Sequence, residues 1–128
     1  MQGQAEHFRA MAGAYSAYGI NRYINETKRL MDVLESRLKS HDWLAGEKYT
    51  IADIASYAWL RSAPTLLEID IGPWPGLDKW IRRIGERPAV QKGVRVPSGS
   101  RTLEELAQLF KSMRDKVDAM ENTDKHDS

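Results

Sequence analysis

In the stretch WLAGEKYTIADIA, residues 43 to 55, a hydroxyl (Thr50) and a carboxylate (Asp53) stand three positions apart at the head of an apolar run. A carboxylate that draws a proton from a hydroxyl is the beginning of nucleophilic or acid–base chemistry. That chemistry needs a further base or nucleophile to complete it, and no histidine or cysteine lies nearby. The same spacing also satisfies a helix start. Thr50 as N-cap accepts from a first-turn amide, while Asp53 at N3 reaches back to the N-cap amide and faces the positive end of the helix dipole. Tyr49 and Ile54 are placed for a hydrophobic staple across the same turn. Two local devices agree, so the pair is read as structural, and Ala at either position should cost about 1 kcal/mol.

The remaining polar and aromatic groups are scattered. His7 stands beside Phe8, and Tyr15, Tyr18 and Tyr23 offer hydroxyls. Trp43, Trp59, Trp74 and Trp80 read first as packing anchors. Histidines occur only at 7, 41 and 126, too widely separated to suggest a metal cluster. The absence of cysteine rules out disulfides, thiolate metal sites and a thiol nucleophile within these residues, and it fits a reducing compartment. There is no glycine-rich phosphate loop, no Ser-His-Asp arrangement and no supported carboxylate pair. No metal and no catalytic residue is therefore expected here.

The elements that must position these groups are helical. Ile20, Tyr23, Ile24, Thr27, Leu30, Met31, Leu34 and Leu38 recur at three- and four-residue steps, marking one buried helix face. Asp32 and Glu35 fall on its solvated side, where Lys28 and Arg29 are within pairing reach of Asp32. A shorter helix occupies part of 4–17. The helix opened by Thr50 is apolar over most of its circumference, as one running through a bundle would be, and Pro64 predicts a break near 61–63. IDIGPWPG (69–76) is a loop, followed by a short amphipathic helix through Leu77, Trp80, Ile81 and Ile84, with a further turn after Pro88. VPSGS (96–100) reads as a linker. Beyond it Leu103, Leu106, Phe110, Met113, Val117 and Met120 form a heptad-like seam, which either packs onto the body or self-associates. ENTDKHDS at the end is expected to fray.

The chain of 128 residues is of single-domain size, with 41% hydrophobic and 29% charged residues, in keeping with a globular protein. Nineteen basic against eighteen acidic residues leave a net charge of +1, too little to draw in nucleic acid or an anionic membrane. No apolar stretch approaches the ~20 residues that span a bilayer, and no signal peptide is evident. The expected location is cytoplasmic.

WLAG-x-x-YTIADIA resembles the capping-box segment of the C-terminal domain of glutathione S-transferases. GQAEHF (3–8), YGINRYINETKRL (18–30), VLESRL (33–38), WIRRIGERPAVQKG (80–93) and VP (96–97) are similar to the branch containing the fungal nitrogen-regulator prion protein and its bacterial nu-type relatives. The resemblance covers about 2–97 and implies an all-α fold: a glutathione S-transferase C-terminal-like helical bundle over 1–97. To this, residues 98–128 add a linker, an amphipathic helix and a frayed tail. In the family this domain forms the wall for an apolar or electrophilic co-substrate, while a thioredoxin-like domain holds most of the glutathione site; no βαβ pattern in this sequence supplies that half. Gln4, His7 and Phe8, with Tyr15 and Trp59 behind them, are the co-substrate-pocket candidates that the resemblance implies. It also implies glutathione as co-substrate wherever a complete active site exists, and a homodimer as a candidate assembly. Three readings stay open: half of a transferase, a non-catalytic helical module binding apolar ligands or a protein, and a degenerate product.

Overall fold

The computed structural model describes residues 2–10, 17–96 and 101–124. Within them the chain forms seven helices and no strand: α1 (Gln2–Ala10), α2 (Ala17–Leu38), α3 (Ile51–Leu60), α4 (Ala63–Leu66), α5 (Pro75–Gly85), α6 (Pro88–Gly93) and α7 (Leu103–Asp124). The linker at 97–100, the last residues of the expected frayed tail and Tyr15 lie outside the described residues.

The core forms where α2 and α5 meet the segment 60–74. Leu77, Trp80 and Ile84, at three- and four-residue steps along α5, are buried together with Met31 of α2 and with Ala63, Leu67 and Ile69. Pro75 is the first residue of α5, where its missing amide costs nothing, and Trp74 at the N-cap offers no side-chain cap. The next two amides are satisfied from another helix. Glu35 Oε1 accepts from the Gly76 amide at 3.1 Å and Oε2 from the Leu77 amide at 2.8 Å. One turn earlier, Asp32 Oδ1 accepts from the Trp74 indole at 2.7 Å. Asp32 is exposed as expected, and the sequence reading that gave Glu35 to solvent is corrected here. Glu35 is buried because α5 brings two orphan amides to α2, and Arg29 pairs with Glu26 at 2.7 Å instead of with Asp32. Gly76 suits this close contact, since a Cβ there would lie 3.0 Å from Glu35 Oε2 and the carboxylate would have to give way.

At the head of α3 the capping box is present. Thr50 Oγ1 accepts from the Ala52 amide at 3.3 Å, and Asp53 Oδ2 accepts from the Thr50 amide at 2.9 Å. Asp53 does more than cap. Its Oδ1 also accepts from the Leu44 amide at 3.1 Å and the Trp80 indole at 2.8 Å, tying the 43–46 loop, α3 and α5 together at a fully buried carboxylate. Burial raises its pKa, but the donors Trp80, Leu44 and Thr50 outweigh that and hold it below the usual aspartate range. Across the same loop Arg37 donates to the carbonyls of Trp43 and Gly46, and Gly46 takes the left-handed backbone (φ 65°) that closes the turn.

The expectation that α3 runs through the middle of the bundle is overturned. Ile51 is 80% exposed, Ile54 53% and Trp59 54%, and only Asp53 and Leu60 of this helix are buried. Trp59 is thus no core anchor, in contrast to the buried Trp74 and Trp80. The apolar circumference has another use, because α3 is the ridge between two grooves, described below. After Leu60 the helix breaks, and α4 begins with Pro64 in its first turn. A second capping box, between Thr102 and Glu105, opens α7: the Thr102 amide reaches Glu105 Oε2 at 2.7 Å and the Glu105 amide reaches Thr102 Oγ1 at 3.1 Å. From there α7 lies against α4 and α1.

Candidate functional site

A groove of about 440 Å³ runs between α1, α2 and α3, within the range of small-molecule sites. From α2 it takes Leu30 and Leu34, one turn apart, with Thr27 below them; from α3 it takes Ser56, Trp59 and Leu60 on a matching stripe. The residues Gln2, Gly3 and Gln4 of α1 close the third side. Gly3 sets the approach of that wall, since a Cβ there would stand 3.3 Å from two ring carbons of Trp59.

The end of α3 is fixed to α1 by a polar knot. The Gln2 amide donates to the Trp59 carbonyl and reaches Ser62 Oγ at 3.0 Å and Glu6 Oε1 at 3.1 Å, while Ser62 Oγ lies 2.7 Å from the same Trp59 carbonyl. Gln2 and Ser62 are both buried, so this knot holds the backbone of Trp59 while its indole stays exposed in the groove. Thr27 spends its hydroxyl proton on the Tyr23 carbonyl at 2.8 Å, which leaves the Gln4 amide and the Ser56 hydroxyl as the groove's available polar groups.

None of the groove residues is ionisable at neutral pH. The arrangement can hold a neutral, largely apolar molecule against an indole face and two leucines, but it has no base, acid or nucleophile to act on it. Among the described residues there is no group of three or more His, Asp or Glu placed to hold a metal, and no helix is long and apolar enough to cross a membrane.

Of the residues singled out from the sequence, Gln4 and Trp59 meet in this groove. His7 and Phe8 do not line it: His7 is exposed and packs edge-on against Phe8 at 5.5 Å, and Phe8 stacks on Tyr23 at 5.3 Å. Leu30, Leu34 and Ser56 were not singled out. Their signal was the pairing of two apolar stripes, which becomes a groove only once α2 and α3 are placed side by side.

A family model described as glutathione S-transferase, C-terminal domain matches residues 22–88, just over half of the chain. The chain belongs to the glutathione S-transferase family. Its similarity extends to the disulfide-bond oxidoreductase YfcG of Escherichia coli, 45% identical over 89 residues that cover 70% of this chain and 41% of that protein. The disulfide-bond oxidoreductase YghU of the same organism is 38% identical over 93 residues, covering 68% of this chain and 32% of that one. Among solved structures, a glutathione transferase from Burkholderia graminis with two glutathione molecules bound per subunit superposes with a TM-score of 0.68 at 34% identity, covering 77% of this chain and 44% of that chain. A glutathione transferase from Pseudomonas putida, with one glutathione disulfide bound per subunit, gives 0.67 at the same identity, over 76% and 44%. The chain spans less than half the length of each of these relatives.

Proposed function

We propose that this chain forms the apolar co-substrate wall of a glutathione S-transferase-type site and that the groove between α1, α2 and α3 is that wall. The observation that carries the reading is the exposed Trp59 indole, backed by Leu30 and Leu34 and held by the Gln2–Ser62 knot, in a groove without an ionisable group. Such a surface suits a small apolar or electrophilic molecule. The thiol would come from glutathione, seated on a thioredoxin-like domain of the kind that family members place beside this one. His7 and Phe8 stay in the proposal as outer contacts of the co-substrate, beyond the groove lining, and Tyr15 stays in it as a further candidate contact. The GQAEHF and YGINRYINETKRL motifs support placing the chain in the branch of the fungal nitrogen regulator and the nu-type enzymes. A homodimer and a cytoplasmic location, where glutathione is kept reduced, complete the reading.

The two Escherichia coli relatives favour a second reaction class for the same site, the reduction of disulfides. These 128 residues contain no cysteine, so both thiols in such an exchange would belong to glutathione or to the substrate. A non-catalytic module binding apolar ligands is the alternative that needs no second domain.

Glutathione-affinity retention, aryl-halide binding and aryl-halide conjugation, each measured on this chain alone, separate the readings. Saturable binding of the aryl halide without turnover supports the wall. Turnover by these residues alone would contradict the placing of thiol activation elsewhere, and failure to bind any apolar electrophile would contradict the wall itself.

A further inference from the structure

Helix α3 rises as a ridge between the co-substrate groove and a second groove, of about 490 Å³, that opens toward α6. Ser56, Trp59 and Leu60 line the first, Ile54, Tyr57, Ala58 and Arg61 the second, and Ile51 and Ala55 line neither. Ile51, Ile54, Ala55, Ala58 and Trp59 recur at three- and four-residue steps, so they share one face of the helix, and all five are exposed. That spacing is the signature of a face built to be buried. The single charged residue of α3, Asp53, is turned inward and fully buried, so the crest itself carries no charge. The last helix does not roof it, because α7 lies against α4 and α1.

The size and relief of this face suit a second copy of the same surface. With Leu30 across the first groove, its side chains leave roughly 500 Å² of apolar surface in water, near the top of the ~300–600 Å² that the largest patch of a monomer presents. The rim of Ser56, Tyr57 and Arg61 brings it toward the ~800 Å² per partner of a standard interface. Ile51, Ala55 and Trp59 form one row four residues apart, and Ile54 and Ala58 form a second, the rows that interlock when two helices pack. Alanines stand at the middle of the crest and large side chains at its ends. A twofold axis through Ala55 therefore brings two backbones close at the alanines and lays Ile51 of each protomer beside Trp59 of its partner. The two helices then run antiparallel, with the positive end of one dipole facing the negative end of the other.

We propose that this chain pairs with a second copy of itself through the α3 crest, as a twofold antiparallel helix pair centred on Ala55. The pairing does not depend on the co-substrate reading. Trp59 serves both surfaces, so the crest is tested at Ile51 and Ala55, which touch neither groove.

Sedimentation velocity of the full chain should show monomer at ~1 μM and dimer at ~100 μM, the weak range for an interface of this size. Ala55→Glu and Ile51→Glu, both at exposed positions, should each weaken pairing about tenfold or more, because a carboxylate would be buried without a partner. Their circular dichroism spectra and urea midpoints should stay unchanged. Since the sequence has no cysteine, Ala55→Cys introduces a lone thiol at the axis, within disulfide reach of its counterpart. Copper-phenanthroline oxidation should link it into a covalent dimer about tenfold faster than Gln108→Cys, on the exposed side of α7. If both glutamate variants unfold, the comparison of the two cysteine variants decides the matter by itself. A monomer at ~100 μM, a dimer that survives both glutamates, or equal linking rates would each overturn the proposal.

Discussion

Replacing Asp53 by Ala should cost far more than the loss of a helix cap. Capping alone is worth about 1 kcal/mol, the figure expected from the sequence pattern. The structure adds donors that would be stranded. The Trp80 indole is only 1% exposed and would lose its acceptor with no route to water, at about 2 kcal/mol. The Leu44 amide is partly buried and losing its acceptor adds about 1 kcal/mol, the Thr50 amide being the capping bond already counted. The total is about 4 kcal/mol, a large share of the ~5–15 kcal/mol available to a domain. With an unfolding entropy of about 2.1 cal/mol/K per residue over 128 residues, that lowers Tm by ~15 °C. Urea and thermal unfolding, followed by circular dichroism and tryptophan fluorescence, measure it directly. Thr50→Ala, which leaves the carboxylate in place, should stay near 1 kcal/mol. Equal losses in the two variants would refute the view that Asp53 is a three-way tie. The same carboxylate makes a pH prediction. Its folded pKa lies below the ordinary 3.8, so its contribution is full above that value and is lost as pH falls through the folded value. Asp53→Asn should flatten that part of the acid-unfolding curve.

Three further outcomes follow from the packing. Glu35→Ala strands the Gly76 and Leu77 amides at the start of α5 and should cost about 2–3 kcal/mol in urea unfolding; a loss under half a kcal/mol would mean that water caps α5 equally well. Gly3→Val should leave the fold intact but push the Trp59 ring into the groove, shifting its fluorescence and weakening apolar-ligand binding; unchanged binding would remove Gly3 from the account. Phe110→Asp, on the face of α7 beside Thr65 and Leu66, should lower stability by about 1–2 kcal/mol without changing the size-exclusion mass, whereas a change of mass would point to self-association of α7.

Elements and local devices were legible in the sequence because they rest on short-range chemistry. The Thr50–Asp53 box, the break before Pro64 and the three- and four-step faces of α2 and α5 each follow from residues within a turn of one another. The Thr102–Glu105 box carries the same short-range signature and could have been read from it. The roles of Asp32 and Glu35 were not legible. A carboxylate on a polar helix face looks solvated until another helix brings its amides 42 residues along the chain to meet it. The site shows the same limit. Trp59 and Gln4 were singled out by resemblance, but the groove exists only because Gly3 lets α1 approach an indole that the helix pattern alone would have buried. An apolar helix circumference signals burial or two open grooves alike, and only the placing of α3, with one stripe lining a groove toward α2 and the other a groove toward α6, tells them apart.

The claim that the α1–α2–α3 groove is a co-substrate wall is tested most directly by amide-resolved NMR of the full chain titrated with 1-chloro-2,4-dinitrobenzene. The account predicts saturable shifts in Gln4, Leu30, Leu34, Ser56 and Trp59. Trp59→Ala should abolish those shifts while costing little stability, because the indole is 54% exposed. Shifts lying elsewhere, or binding that Trp59→Ala leaves untouched, would contradict it.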